Sequence, residues 1–174
     1  MVIDTAPVAS RAVSVGVPEL WRIVETVHDP ELPFLTLTDL GVIRHVRSDH
    51  DGVRIGVTPT YTGCPATEVI RESLRRALTA AGITAVTIEN VLNPPWTTDW
   101  ITPRGRERLQ AHGIVPPAEP ASSRQALFGV RAGVPCPRCA SSHTQLVSEF
   151  GTTPCKALFK CGDCLEPFEY FKCL

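Results

Sequence analysis

Two Cys-x-x-Cys pairs in the C-terminal part of the chain are the residues whose types and spacing most clearly predict chemistry. Cys136-Pro-Arg-Cys139 and Cys161-Gly-Asp-Cys164 are separated by residues 140–160. Each pair can offer two thiolates from one tight turn, and a hairpin in the intervening segment can bring the two turns together around one tetrahedral metal site. That segment is slightly longer than the usual spacing, which a hairpin tolerates. We therefore expect a zinc ribbon with four cysteine ligands, a unit too small to fold on core burial alone.

Two further cysteines lie beside this framework. Cys155 precedes the second pair and Cys173 follows it. Four thiolates already complete a zinc site, so these two are alternative ligands, parts of a second site, or packing residues. Zinc is the expected metal, with an Fe–S cluster as the alternative, because both are held by four cysteines.

The seventh cysteine, Cys64, lies far from the others, in the segment Thr60-Tyr-Thr-Gly-Cys-Pro65. Pro65 suits the first position of a helix, which puts Cys64 at or near the N-cap. A helix N-terminus favours a negatively charged sulfur, since free backbone N–H groups and the helix dipole face it. Cys64 is therefore a candidate soft metal ligand, persulfide carrier or nucleophile. The alternative is a buried small hydrophobic residue.

Three acidic side chains and two tryptophans are further candidates, each with a simpler structural alternative. Asp29 and Glu31 flank a proline in an acidic turn, and Asp39 lies in a second loop. Turn and capping chemistry is the commoner explanation of such positions. Trp96 and Trp100 stand four residues apart beside two prolines. They could form the floor of a groove that binds a partner, although such a pair more often packs in a core or a turn.

The elements that must position these residues follow from hydrophobic periodicity. Apolar residues spaced i, i+3, i+4 and i+7 predict helices, strict alternation predicts strands, and Asp51-Gly52 marks a hairpin turn. The order α-β-β-α-β-α predicts an α+β protein, a small α/β sandwich with a mixed sheet, followed by the ribbon. The predicted helices are 18–27, 64–81 and 102–113, and the predicted strands are 41–47, 53–58 and 85–91.

Composition sets the class of protein and the domain boundaries. The chain has 174 residues, 43% hydrophobic and 20% charged, with a net charge of −1. This suits one domain at 15–114, a proline- and serine-rich linker at 115–134 and a ribbon at 135–174. The near balance of basic and acidic residues argues against nucleic acid as a partner. No apolar run approaches a membrane span and no signal-peptide pattern precedes the domain, so we expect a cytoplasmic protein.

Several segments together resemble the PaaD family, the phenylacetate-degradation proteins encoded with phenylacetyl-CoA epoxidase. The resemblance covers nearly the whole chain, from about Leu20 to Leu174. The N-terminal part also resembles the wider metal–sulfur cluster assembly family that includes SufT. The segments that carry the resemblance are Asp29-Pro-Glu31, Asp39-Leu-Gly41, Thr60-Tyr-Thr-Gly-Cys-Pro65, Trp96-Thr-Thr-Asp-Trp100, Cys155-Lys-Ala-Leu-Phe-Lys-Cys161 and Tyr170-Phe-Lys-Cys173.

The resemblance implies an accessory factor that matures or delivers an Fe–S cluster or another metal centre to an epoxidase component. Cys64 matches the reactive cysteine of the wider family, and Asp29 and Glu31 match its acidic turn. The resemblance also implies a functional role for Asp39, although less directly than for Cys64. The expected clients are the Fe–S reductase component first and the di-iron oxygenase component second. A transient Fe–S cluster would be the cargo, and a homodimer would supply a second Cys64.

The residues themselves agree that the chain is not the oxygenase. A di-iron oxygenase needs Glu-x-x-His ligands on bundle helices, and a reductase needs a nucleotide fingerprint or plant-type cluster spacing. The sequence has one Glu-x-x-His, Glu25-Thr-Val-His28, without the second that a di-iron site requires, and it has neither a nucleotide fingerprint nor plant-type cluster spacing. The alternative function is a non-catalytic structural subunit of the epoxidase complex, with Trp96, Trp100 and the ribbon as its contact surface.

Overall fold

A small mixed sheet and three helices form the N-terminal part of the protein. The structure is a computed structural model that describes residues 15–61, 63–117 and 134–172. The order of elements is the predicted one, followed by the strands of the ribbon. The helices are α1 (Val17–Val24), α2 (Ala66–Ala80) and α3 (Pro103–Ala111), and the strands are β1 (Ile43–Asp49), β2 (Gly52–Val57), β3 (Val86–Asn90), β4 (Ile114–Val115), β5 (Thr144–Ser148), β6 (Lys156–Cys161) and β7 (Pro167–Phe171).

The first sheet has the order β1-β2-β3. β1 and β2 form the predicted antiparallel hairpin, and β3 lies parallel to β2, so α2 supplies the crossover that a parallel pair requires. The turn before β2 needs Gly52, whose φ is +128° and where a Cβ would run into the backbone carbonyl of Ala85. On β2, Val53, Ile55 and Val57 are buried, as their alternation predicts.

The helices pack their apolar stripes against this sheet. α2 buries Ile70, Leu74 and Leu78, and α1 contacts both α2 and β1. α1 ends three residues before the predicted boundary, because the chain turns at Glu25 and Thr26, and Val27 lies beyond this turn, although it is buried as its spacing predicts. α3 begins after Thr102, whose hydroxyl caps the helix by accepting a hydrogen bond from the N–H of Gly105 at 3.0 Å.

The ribbon is a four-stranded sheet with the order β4-β7-β6-β5. β5, β6 and β7 are antiparallel neighbours, and β4 joins the edge of β7 in parallel. β4 follows α3 directly, so Val115, at the predicted start of the linker, already belongs to the ribbon sheet and its core. At the other end of the predicted linker, Val134 also belongs to the ribbon core, whereas residues 118–133 lie outside the described residues, as does Cys173.

The ribbon is packed against the N-terminal domain. Phe171 on β7 and Cys155 just before β6 belong to the same buried cluster as the helices and the first sheet. The ring of Trp96 lies 6.3 Å from that of Phe171, centroid to centroid. The ribbon therefore packs on the core of the N-terminal domain and also has a core of its own. In the described ranges, no helix has the length and apolarity needed to cross a membrane.

Candidate functional site

The four predicted ribbon cysteines converge at one end of the second sheet. Their sulfur atoms all lie within 4.8 Å of one another. Cys136 and Cys164 are 3.6 Å apart, sulfur to sulfur, as are Cys139 and Cys161. A tetrahedron with metal–sulfur bonds of about 2.3 Å has edges of about 3.8 Å, so the spacing fits a metal site with four cysteine ligands.

The surroundings of these sulfurs favour the thiolate of Cys161 but disfavour that of Cys164. Backbone N–H groups of Cys164 and Asp163 donate to the sulfur of Cys161, and the pKa of this thiol falls to about 6. For Cys164, a backbone hydrogen bond at Glu166 acts to lower the pKa, but burial and the three neighbouring sulfurs outweigh it and raise the pKa to about 12. Four such sulfurs can all ionise together only around a cation.

A polar cluster beside the second cysteine pair was not predicted from the sequence. Asp163, between Cys161 and Cys164, accepts a hydrogen bond from the Ser141 hydroxyl at 2.6 Å and pairs with the His143 ring at 2.9 Å. These contacts tie the two cysteine turns to each other. They resemble the outer hydrogen bonds that orient metal ligands. The Asp in Cys-Gly-Asp-Cys was the available signal, but the sequence does not reveal its partners.

Cys64 lies just before the start of α2, beside a small pocket at the boundary between domain and ribbon. Pro65 is the N-cap residue rather than the first helical residue, so α2 begins one residue later than predicted and Cys64 immediately precedes the cap. Its side chain is half-buried. The pocket has a volume of about 20 Å³, room for a water molecule or an ion rather than for a coenzyme A thioester. It is lined by Cys64 with Asp29, Glu31, Cys155 and other residues of both units.

Asp29 and Glu31 contribute the carboxylates of this pocket. Asp29 is buried, and its Oδ1 accepts hydrogen bonds from the N–H groups of Glu31 and Leu32, both at 2.9 Å. Burial raises the pKa of Asp29 against these two hydrogen bonds. Burial and the neighbouring Asp29 raise the pKa of Glu31. The predicted capping chemistry is therefore present, and the same turn also faces Cys64 across the pocket.

Tyr61 adds a buried hydroxyl near the two cysteines. Its oxygen has no hydrogen-bond partner within ordinary distance among the described residues. Burial of this hydroxyl, together with the nearby sulfurs of Cys64 and Cys155 and the carboxyl group of Glu31, raises the pKa of Tyr61 to about 12. The phenol therefore stays protonated and is a donor available to a sulfur or another anion.

Asp39 does not line this pocket. It is fully buried, and Arg104 Nε donates to its Oδ1 and Arg108 Nη1 to its Oδ2, each at 2.6 Å. Thr36 N–H also donates to Oδ2, at 3.2 Å. The structure therefore places Asp39 as an anchor between the loop before β1 and helix α3. Asp39 therefore does not line the pocket with Cys64, where the sequence resemblance predicts it.

The two tryptophans have different positions. Trp96 is 4% exposed, and its indole N–H donates to the carbonyl of Leu40 at 2.9 Å. It therefore packs at the boundary with the ribbon rather than on an open surface. Trp100 is half-buried, with the guanidinium of Arg44 3.5 Å from its ring centroid. Only Trp100 keeps part of its surface for the predicted partner contact.

Comparison with known protein families matches both parts of the chain. Residues 19–89 match the model of the iron–sulfur cluster assembly protein family, and residues 120–172 match that of the PaaD zinc beta ribbon domain. A protein of Escherichia coli (strain K12), named as a putative subunit of 1,2-phenylacetyl-CoA epoxidase, is 51% identical over 91% of this chain and 93% of its own length.

Two further similarities each cover about half of the chain. An Fe-S protein maturation auxiliary factor of Porphyromonas gingivalis (strain ATCC BAA-308 / W83) is 34% identical over 48% of this chain and 81% of its own length. Among solved structures, a DUF59 domain of unknown function from Bacillus anthracis superposes with a TM-score of 0.50 at 26% identity. The superposition covers 53% of this chain and 90% of the Bacillus anthracis chain. The predicted two-part architecture is confirmed.

Proposed function

The chain belongs to the PaaD family, and from that premise we propose that it is an accessory factor that holds and passes on an iron-containing cargo. The cargo is an Fe–S cluster or its iron, and the recipient is a component of a phenylacetyl-CoA epoxidase. The names of the two curated relatives support this pairing, since one is an epoxidase subunit and the other an Fe–S maturation factor. The accessory role is not catalytic.

The observation that carries the proposal is the setting of Cys64. Its half-buried thiol stands at the N-terminal end of α2, and the same pocket holds the carboxylates of Asp29 and Glu31. A soft thiolate with hard oxygen ligands nearby binds iron less tightly than four thiolates do. A carrier needs such a site, because it must release what it binds.

The ribbon site has a different task in this proposal. We assign zinc to Cys136, Cys139, Cys161 and Cys164, on the grounds of their tetrahedral spacing and the N–H groups that face their sulfurs. When bound, zinc supplies the positive charge that lets four thiolates stand together. The cysteines then fix the two turns and hold β5 to β7 in place. A closed four-thiolate site of this kind has no open position and serves structure.

Among the clients, the Fe–S reductase component comes first and the di-iron component second, because a cluster is the cargo that soft ligands suit best. The test is maturation of the apo-reductase under anaerobic conditions, with iron and sulfide supplied through the protein. The wild type should accelerate maturation, and Cys64→Ala should abolish this acceleration. Val69→Ala, on an exposed position of the same helix, is the matched control and should act as wild type.

A stable structural subunit is the second candidate. Strand β5 is an edge of the ribbon sheet, and Leu146 and Val147 on it are exposed, as is Phe150 just beyond it. Exposed apolar residues on a sheet edge can contact a partner chain. Stoichiometric co-purification with the epoxidase that survives Cys64→Ala, together with full epoxidase activity of that variant in cells, would favour the subunit over the carrier.

A further inference from the structure

The carboxylate of Asp163 connects the two cysteine turns of the ribbon. It lies inside the second pair, between Cys161 and Cys164, and both of its oxygens have partners from the segment that follows the first pair. Its Oδ2 accepts a hydrogen bond from the Ser141 hydroxyl at 2.6 Å, and its Oδ1 lies 2.9 Å from Nδ1 of His143. We call Ser141, His143 and Asp163 the clasp.

Backbone hydrogen bonds extend the clasp into both turns. The carbonyl of His143 accepts the N–H of Gly162 at 2.7 Å, and the carbonyl of Ser141 accepts the N–H of Cys136 at 2.9 Å. The His143 ring also covers Gly162, where a Cβ would lie 2.5 Å from a ring carbon. This position therefore has to be glycine, because the clasp histidine occupies the space of a side chain.

The clasp is not arranged for nucleophilic catalysis, although it contains a serine, a histidine and an aspartate. The Ser141 hydroxyl donates to Asp163 and accepts the backbone N–H of His143 at 2.9 Å, so neither contact is with the imidazole. A nucleophilic serine donates to an imidazole instead, which removes its proton. The contacts of the clasp therefore fix positions rather than activate a nucleophile.

These positions decide what the four cysteines can bind. All four sulfurs lie within 4.8 Å of one another, and the two sulfur contacts of 3.6 Å each join one turn to the other. This separation suits one ion bound by all four sulfurs. When each turn supplies both ligands of one iron, a two-iron cluster needs the turns farther apart, since sulfide ions lie between the irons. Contacts that hold the turns together thus favour a single ion over a cluster.

We propose that the clasp keeps the two turns at the separation of a single metal ion, so that the ribbon retains its zinc and does not accept the Fe–S cargo. Four ribbon cysteines offer more thiolates than Cys64 alone, so without this constraint they would compete with it for iron. The clasp acts through the turns, since the group of converging ligand atoms contains the four cysteines and none of the clasp residues. The inference rests on the proposed function for the identity of the two metals.

The first test is the rate at which the zinc-loaded full chain loses zinc to a chromogenic chelator. Loss of an outer hydrogen bond around a metal site weakens metal binding by about 10–100-fold. Asp163→Ala removes both acceptors of the clasp but keeps the N–H that donates to Cys161, and it should release zinc at least about tenfold faster than wild type. The side chain is 58% exposed, so the variant should fold, which circular dichroism checks. Glu149→Gln, on an exposed ribbon residue outside the clasp, is the control and should release zinc as wild type does.

The second test is anaerobic reconstitution with iron, sulfide and a thiol reductant in the Cys64→Ala background, where the carrier cysteine is absent. Cys64→Ala should keep its zinc and stay free of iron, whereas the double variant with Asp163→Ala should exchange zinc for iron and sulfide, measured by elemental analysis and optical absorption. Either zinc loss from Asp163→Ala at the wild-type rate or an iron-free double variant overturns the role of the clasp and leaves the carrier function standing. Iron uptake by Cys64→Ala alone contradicts the carrier function as well, because the ribbon then takes the cargo with its clasp in place.

Discussion

Replacing Asp39 by asparagine should destabilise the protein without altering the Cys64 site. The carboxylate is fully buried and accepts two charge-assisted hydrogen bonds of 2.6 Å, one from Arg104 and one from Arg108. In Asp39→Asn, an amide NH2 must face one of these two donors. The arginine side chains are 56% and 37% exposed, so water can solvate them after the change, which limits the loss.

The expected magnitude follows from these contacts. A hydrogen bond to a charged group contributes about 1.5–3 kcal/mol, and solvation of the arginines recovers part of the loss of the second contact. We expect the free energy of unfolding to fall by about 3 kcal/mol and Tm to fall by about 6–12 °C for a chain of this size. Urea unfolding and calorimetry measure the two quantities. Asp51→Asn, on an exposed loop, should change stability by less than about 0.5 kcal/mol.

The difference between wild type and Asp39→Asn should depend on pH. Burial acts to raise the pKa of Asp39, but hydrogen bonds from Arg104 and Thr36 outweigh it and hold the pKa below its usual value. A lowered pKa means that the charged form stabilises the fold above the unfolded pKa of about 3.9, and that this contribution is lost as pH falls through the folded value. The stability difference should therefore be constant near neutral pH and shrink below about pH 4.

Two results would refute this reasoning. One is an Asp39→Asn protein as stable as wild type at neutral pH. The other is a stable, folded variant that no longer accelerates maturation of the apo-reductase, which would return Asp39 to the Cys64 site where the sequence resemblance had placed it.

Three further predictions concern the boundary and the ribbon. Trp96→Phe removes the N–H that satisfies the buried carbonyl of Leu40 and should lower the free energy of unfolding by about 1–3 kcal/mol in urea denaturation. Gly41→Ala places a Cβ against the backbone of Trp100 at a φ of +68°, so we expect little folded protein by circular dichroism, whereas Ala substitution at Gly82, where a Cβ meets no atom within 4 Å, should be milder. Removal of the ribbon metal with a chelator should lower Tm and expose Cys155 to alkylation, because the β6–β7 pairing that buries it depends on the four-cysteine site.

Local patterns in the sequence were sufficient for much of the fold. The alternation of Val53, Ile55 and Val57 and the spacing of Ile70, Leu74 and Leu78 each indicate a buried face, and the structure confirms both. The two Cys-x-x-Cys pairs predict their own convergence, since each pair is a local turn and one hairpin joins them. Such features are predictable because the residues concerned are near neighbours in the chain.

The arrangement of the pocket was not predictable in the same way. Cys64 and Cys155 line one pocket beside Phe171 of β7, which enters the N-terminal core, and no local pattern encodes that arrangement. The partners of Asp39 lie on α3, more than sixty positions away, so its burial could not be inferred from its loop. The burial of Trp96 has the same origin. Each depends on long-range packing, which a single sequence does not display.

The most direct test of the central claim is the iron, sulfide and zinc content of the anaerobically purified and reconstituted protein, compared between wild type and Cys64→Ala. We expect about one zinc per chain in both proteins, from the four-cysteine site. We expect iron with sulfide in the wild type only. Iron and sulfide retained in Cys64→Ala would move the cargo to the ribbon cysteines and contradict the carrier role of Cys64.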